Sequence, residues 1–274
     1  MKTIIVATDF SSAALNAVHY ATDMALALKA KLLLLHIYQV SVVYGELPIA
    51  LNEEAERQEA ENEILQIKNG IISKTGGNIS VETDVRLGAF FDELKIVCDF
   101  IKPYLVIMGS QGTTVAERLL FGGHTVNAMK HLKWPLITVP VNIHFNGIKN
   151  IGFACDFENV TRNTPVNEIK MIMNDFNASL HIINTGDQSE FNQNVVFQSG
   201  LMNEMFGAVL PKYHFITSDN ADEGIIDFTD KNNIELLIVL PKQHNLLDKL
   251  FNKSITKQLV LHSHVPVMAL HNNA

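Results

Sequence analysis

The chain writes one pattern twice. "KTIIVATDFSSA" begins at Lys2 and "KNIGFACDFENV" at Lys149, so Asp9 and Asp156 hold the same place 147 positions apart. "AKLLLLHIYQ" from Ala30 is answered by "ASLHIINTGD" from Ala178, "YLVIMGS" from Tyr104 by "ELLIVLPK" from Glu235, and "WPLITVP" from Trp134 by "VPVMAL" from Val265. Four matches in one order mean a duplicated unit, and a duplicated unit must fold twice with the same element order. The join falls in the polar stretch "NIHFNGIKN", residues 142 to 150, which predicts units over 1–144 and 145–274.

Within the first unit, short apolar runs alternate with helical patterns. "TIIVAT" is rich in Ile and Val and reads as a buried strand. Ser11 or Ser12 then offers an N-cap to a helix with Ala14, Ala17, Val18, Ala21, Ala25 and Leu28 at helical spacing. "LLLLHIY" is a second strand. Residues 49 to about 74 form an acid-rich helix with Leu51, Ile64, Leu65, Ile67, Ile71 and Ile72 inward and its glutamates on a solvated face. "ISVETDVRL" alternates as a third strand, a helix follows over about 89 to 101, "YLVIM" is the fourth strand, and a helix near 124 to 132 leads to "PLITVPV". Strands alternating with helices specify a parallel sheet covered on both faces. The expected fold is α/β, with two tandem doubly wound, Rossmann-like parallel-sheet domains.

Composition narrows the function classes. A hydrophobic fraction of 47% and a charged fraction of 18% allow a sizeable core. The formal charge of −8, with no Lys/Arg cluster, argues against a nucleic-acid or anionic-membrane surface. Cys98 and Cys155 stand far apart among apolar neighbours and read as reduced core thiols of a cytoplasmic protein. No signal-peptide pattern and no span of about 18 unbroken apolar residues is found.

The stretch "GSQGTTVAERLLFGGHT", 109 to 125, holds four glycines directly after a strand. In open α/β sheets ligands bind beyond the carboxyl ends of the strands. A glycine loop running into a helix there offers backbone N–H groups to a phosphate. The bland alternative is a strand–helix turn with no ligand. The stretch is neither a Walker A motif nor G-x-G-x-x-G. Asp9 is open to two readings in the same way, as a ligand group or as a cap for the helix that follows.

The spacing Gly109, two residues, Gly112, nine residues, Gly122 resembles the G-x2-G-x9-G-[ST] loop of the universal stress protein family. "IIVATDFS", "LLLLHIY", "VRLG" at 85 to 88, "YLVIMGSQG" and "WPLITVP" are similar to that family's elements in the same order, and the pair of units resembles its tandem members. The resemblance implies an adenine nucleotide, ATP or a related one, with or without Mg, in the first unit. It places Asp9 and Ile37 at the base, Met108 and Gly109 by the ribose, and Gly112, Gly122, Gly123 and His124 around the phosphates. Gly123 stands where the family has Ser or Thr, so Thr125 or Ser110 is the candidate substitute hydroxyl.

The second unit lacks the loop. "PKQHNLLDKLFNKSIT", 241 to 256, has no glycine; Pro241 and His244 replace Gly109 and Gly112, and the run to Phe251 is two residues shorter than that to Phe121. Asp156 is then structural. His262, His264 and His271 read as exposed imidazoles without metal-ligand spacing. No nucleophile elbow or Cys/His pair supports covalent catalysis. The expected role is regulatory nucleotide binding in a stress response, with at most slow ATP hydrolysis; the alternative is a structural interaction protein with a vestigial loop. The last strands of the two units are expected to pair as an intramolecular pseudo-dimer, compatible with a further homodimer.

Overall fold

The computed structural model describes residues 1–39, 49–110, 124–185, 193–241 and 255–272. The first unit runs β1 (Thr3–Ala7), α1 (Ser12–Leu28), β2 (Lys31–Tyr38), α2 (Ile49–Thr75), β3 (Val81–Leu87), α3 (Phe90–Ile101), β4 (Leu105–Gly109), a helix over 124–131 (α4) and β5 (Leu136–Val139). The second runs β6 (Asn150–Ala154), α5 (Val160–Asn163), α6 (Val166–Phe176), β7 (Ser179–Thr185), α7 (Gln193–Phe206), β8 (Lys212–Ile216), α8 (Ala221–Lys231), β9 (Leu236–Val239), α9 (Ile255–His262) and β10 (Val267–Ala269).

All ten strands form one sheet in the order β3-β2-β1-β4-β5-β10-β9-β6-β7-β8. Each half of that order is the same doubly wound arrangement, read outward from the centre of the sheet in opposite directions. Pairing within each half is parallel. The halves meet where β5 and β10 pair antiparallel, with Ile137 opposite Met268. Parallel strands covered on both faces need apolar side chains on both, which is why Ile4, Ile5 and Val6 are all fully buried. Ile4 and Val6 enter the layer under α1 and α2, while Ile5 and Ala7 enter the layer under α3 and α4. Both apolar layers run across the β5–β10 seam into the second half.

Polar bonds also cross between the halves. Tyr104 donates its hydroxyl to Asp175 of α6 at 2.7 Å, and Lys2 pairs with the same carboxylate. Asn16 of α1 donates to the carbonyls of Pro140 and Ile143, fixing the start of the connecting segment. Phe145 then packs edge-on against Tyr20 and beside Phe176.

Ser11 is the N-cap of α1, its hydroxyl accepting from Ala14 N–H. The stripe that α2 buries is Ala60, Ile64, Ile71 and Thr75, with Ile67 partly covered. Leu65 and Ile72, expected to face inward, are 45% and 39% exposed. Each follows a stripe residue by one position, which turns it about 100° away from the core. Leu51 lies outside the residues whose side chains are described. Among the described residues no helix is long and apolar enough to cross a membrane.

Candidate functional site

The chain leaves β1 for β2 on one side and returns to β4 on the other, so a crevice opens between the carboxyl ends of β1 and β4. A cavity of about 240 Å³ occupies it. Six of the ten residues singled out from the sequence line this cavity: Asp9, Ile37, Met108, Gly109, His124 and Thr125. Gly112, Gly122 and Gly123 lie outside the described residues. Ser110 is buried and is not part of the cavity lining, its N–H donating to Val139 O at 2.9 Å.

The turn after β1 is built by its own side chains. Asp9 Oδ1 accepts from both the N–H and the hydroxyl of Ser11, at 3.1 and 2.6 Å, and Thr8 Oγ1 accepts from Phe10 N–H at 3.1 Å. These bonds hold Phe10 at φ 64°, a left-handed conformation costly for a bulky residue. The Phe10 ring stacks on His36 at 4.3 Å, and His36 Nδ1 donates to Thr8 O at 2.8 Å. The carbonyl can only accept, so His36 is protonated at Nδ1.

The second half repeats the backbone of this turn with different side chains around the shared Asp and Phe. Asp156 Oδ1 accepts from Glu158 N–H, Phe157 N–H lies 3.4 Å from Cys155 Sγ, and Phe157 takes φ 57°. Asn184 replaces His36 and donates to Cys155 O at 2.9 Å. There the aromatic ring is 2% exposed and stacks between Tyr213 and Phe215 of β8. The shared motif is therefore a device for shaping the β1–α1 and β6–α5 turns; Asp9 is not itself the cap but holds the capping residue Ser11 and lines the cavity.

Gly109 has a steric cause. A Cβ on it would sit 2.8 Å from Ala13 O and 2.9 Å from Ala13 C, in the first turn of α1. Neither backbone freedom nor a ligand is needed to explain this glycine; β4 ends against the α1 backbone. Gly88 at the end of β3 has φ 154°, and a Cβ there would meet Glu93 at 2.8 Å.

The wall also contains residues that sequence reasoning did not single out: Thr8, Ala13, Ala14, Gln39 and Phe90. Ser11 had been read only as a cap. Gln39 could have been found as the residue directly after β2, two positions past Ile37, whereas Phe90 carries no signal before the fold is known. It packs on His124 with ring centroids 5.1 Å apart. Thr125 Oγ1 lies 3.3 Å from Gly109 O and donates to it, tying the described start of α4 to the end of β4.

Charge is sparse: Asp9 and His124 are the titratable side chains among the described lining residues. Burial pushes the thiols of Cys98 and Cys155 up to about 12, away from the thiolate form that reacts. His271, expected to be exposed, is partly buried and donates Nε2–H to Met129 O of α4 at 3.0 Å. The chain doubles back over α4 after β10, which the sequence pattern does not encode. His262 and His264 are exposed, and no group of three metal-ligating side chains forms among the described residues.

The sequence profile of the universal stress protein family matches residues 1–140 and 204–271. The chain belongs to that family. The stretch between the matched segments holds β6, α5, α6, β7 and most of α7; there this universal stress protein keeps the strand order, and Asn184 stands where the first unit has His36. No curated protein sequence matches. A universal stress protein from Archaeoglobus fulgidus has the same fold over nearly its whole length, with a TM-score of 0.77, 16% identity, and coverage of 99% of this chain and 98% of that one. Shorter structures align with about half of the chain. One, a universal stress protein family protein from Arabidopsis thaliana with AMP bound, covers 52% of this chain and 93% of its own at 20% identity, TM-score 0.37. Another, a universal stress protein in complex with cAMP, covers 52% and 98% at 24% identity, TM-score 0.39.

Proposed function

We propose that this universal stress protein binds one adenine nucleotide per chain, with ATP the first candidate, in the cavity between β1 and β4, and that binding serves regulation rather than rapid turnover. The observation that carries this reading is the convergence of Asp9, Ile37, Met108 and Gly109 on one cavity at the topological switch point. Its volume lies just under the usual range for small-molecule sites, about 300–1,000 Å³, which suits the base and ribose.

The chemistry divides along the cavity. Ile37 and Met108 offer an apolar surface to a planar base. Asp9 Oδ1 is committed to Ser11, and its second oxygen is the acceptor for an exocyclic amine or a ribose hydroxyl. His124 and Thr125 stand at the α4 end, where phosphates would meet Gly112, Gly122 and Gly123. Mg would accompany a triphosphate through its phosphate oxygens. Fast phosphoryl transfer needs preorganised positive charge and a group to orient water, and no Lys or Arg lines the described wall.

In the second half the equivalent turn holds a buried Phe157, and Pro241 removes an N–H donor, so this half serves as a structural partner. We read the chain as an intramolecular pseudo-dimer with units 1–144 and 145–274. One observation favours the vestigial reading: packing alone accounts for Gly109. Mass spectrometry of gently denatured purified protein decides between the two. A bound adenine nucleotide near one per chain is expected; its absence, together with no ATP binding by calorimetry, sinks the proposal.

A further inference from the structure

At the outer end of the second half, His181 of β7 and His214 of β8 lie on the sheet face that carries α8. Their rings are parallel within 6° with centroids 5.1 Å apart, and His181 Nδ1 lies 3.1 Å from His214 Nε2. Phe228 of α8 packs on His214 at 4.6 Å. His181 is 7% exposed, and its Nε2 is buried with no hydrogen-bond partner among the described residues.

Counting hydrogens decides what this pair does. Two neutral imidazoles carry two N–H hydrogens, and one must lie between Nδ1 of His181 and Nε2 of His214. The second then sits on His214 Nδ1 or on His181 Nε2. The latter is disfavoured, because a buried N–H without an acceptor is rarer and costlier than a bare acceptor. At neutral pH both rings are therefore Nδ1–H tautomers. A third hydrogen has one place left while the N–H···N bond stands, and that place is His181 Nε2. The pair cannot accept a proton without putting an N–H, on a cation, into a dry site with no partner.

We propose that the His181–His214 pair is an acid-sensitive lock on the outer edge of the second half: neutral, it holds β8 and α8 on β7, and its first added proton releases them. Charged neighbours reinforce this. Lys212, the β8 residue opposite His181 in register, is a cation. The α8 charges look elsewhere: Asp227 pairs with Lys231 and Asp230 with His264, while Asp222 and Glu223 lie in its first turn. β6 brings no titratable group. Burial first, then the His214 and Lys212 charges, hold His181 below 6.5; burial first, then Lys212, hold His214 below the same value. The released state binds more protons than the locked one, so opening is favoured as pH falls below about 6.5 and is unaffected above it.

Hydrogen–deuterium exchange of the full chain at pH 7.5 and 5.0, corrected for intrinsic exchange rates, tests the lock. Protection over 212–216 and 221–231 should fall through the window, approaching about a hundredfold per pH unit well below 6.5, the slope when both freed imidazoles take up a proton, while 3–7 and 105–109 keep theirs. The double variant His181→Leu/His214→Phe should lose this pH dependence. Unchanged wild-type protection at pH 5.0, or an equal loss in the double variant, would overturn the proposal. Long-range 1H–15N spectra of the wild-type imidazoles give a test without mutation. Two Nδ1–H tautomers are expected at pH 7.5, and an imidazolium at His181 with 212–216 still protected would refute the lock.

Discussion

Replacing Gly109 by Ala adds one methyl group where the structure leaves no room. The new Cβ would lie 2.8, 2.9 and 3.2 Å from Ala13 O, Ala13 C and Ala14 N. Carbon contacts settle near 3.5–4.0 Å, so the end of β4 or the first turn of α1 must move by several tenths of an ångström. These are backbone atoms of a capped helix and cannot rotate aside. Overpacking of this kind costs about 1–3 kcal/mol. Gly70 makes the control: it lies within α2, nothing stands within 4 Å of its would-be Cβ, and Gly70→Ala should stabilise by about 0.5–1 kcal/mol. Urea denaturation of both variants, compared at equal m-value, measures the difference. Ala13, Ala14 and Ser11 also line the cavity, so Gly109→Ala should weaken ligand binding along with stability. A Gly109→Ala protein as stable as the wild type, beside a Gly70→Ala protein that behaves as expected, would refute the packing account.

Other outcomes follow from the seam and the thiols. Met268 is 1% exposed and sits opposite Ile137 where the halves meet. Met268→Lys places an unpaired charge in that dry seam at a cost of about 3–5 kcal/mol, and limited proteolysis should then cut within 142–149 faster than it does in the wild type. With both thiols raised to about 12, the thiolate fraction of native protein at pH 8 is about one in ten thousand. A colorimetric disulfide reagent should therefore label neither Cys98 nor Cys155 until denaturant is added, and labelling should speed up as pH rises towards 12. Stoichiometric labelling of native protein within minutes at pH 8 would contradict their burial.

Most strands were legible because parallel strands buried on both faces write continuous Ile/Val/Leu runs, and because four of the first unit's five runs recur in the second. The cavity was legible through the family resemblance, which named Asp9, Ile37 and Met108, and the structure has these at strand ends that the doubly wound topology brings together. What sequence could not supply depends on distance across the fold. Gly109 read as a ligand glycine, but the atoms that demand it belong to α1. Leu65 and Ile72 are as apolar as Ile64 and Ile71 and differ only by one step around the helix. Phe90 reaches the cavity wall from the start of α3, and His271 crosses to α4 on a segment without periodicity. The His181–His214 pair joins two strands about thirty residues apart, each with one unremarked imidazole.

The central claim is one nucleotide site per chain, at the β1–β4 crevice of the first half. Isothermal calorimetry of the intact chain with ATP, AMP and cAMP, on wild type and on Ile37→Asp, tests it most directly. Ile37→Asp sets a second carboxylate beside Asp9 on the wall proposed to receive the base. The account predicts a stoichiometry near one for at least one of these nucleotides, lost in Ile37→Asp while the thermal transition of the protein is retained. Two sites per chain, or binding that Ile37→Asp leaves unchanged, would contradict it.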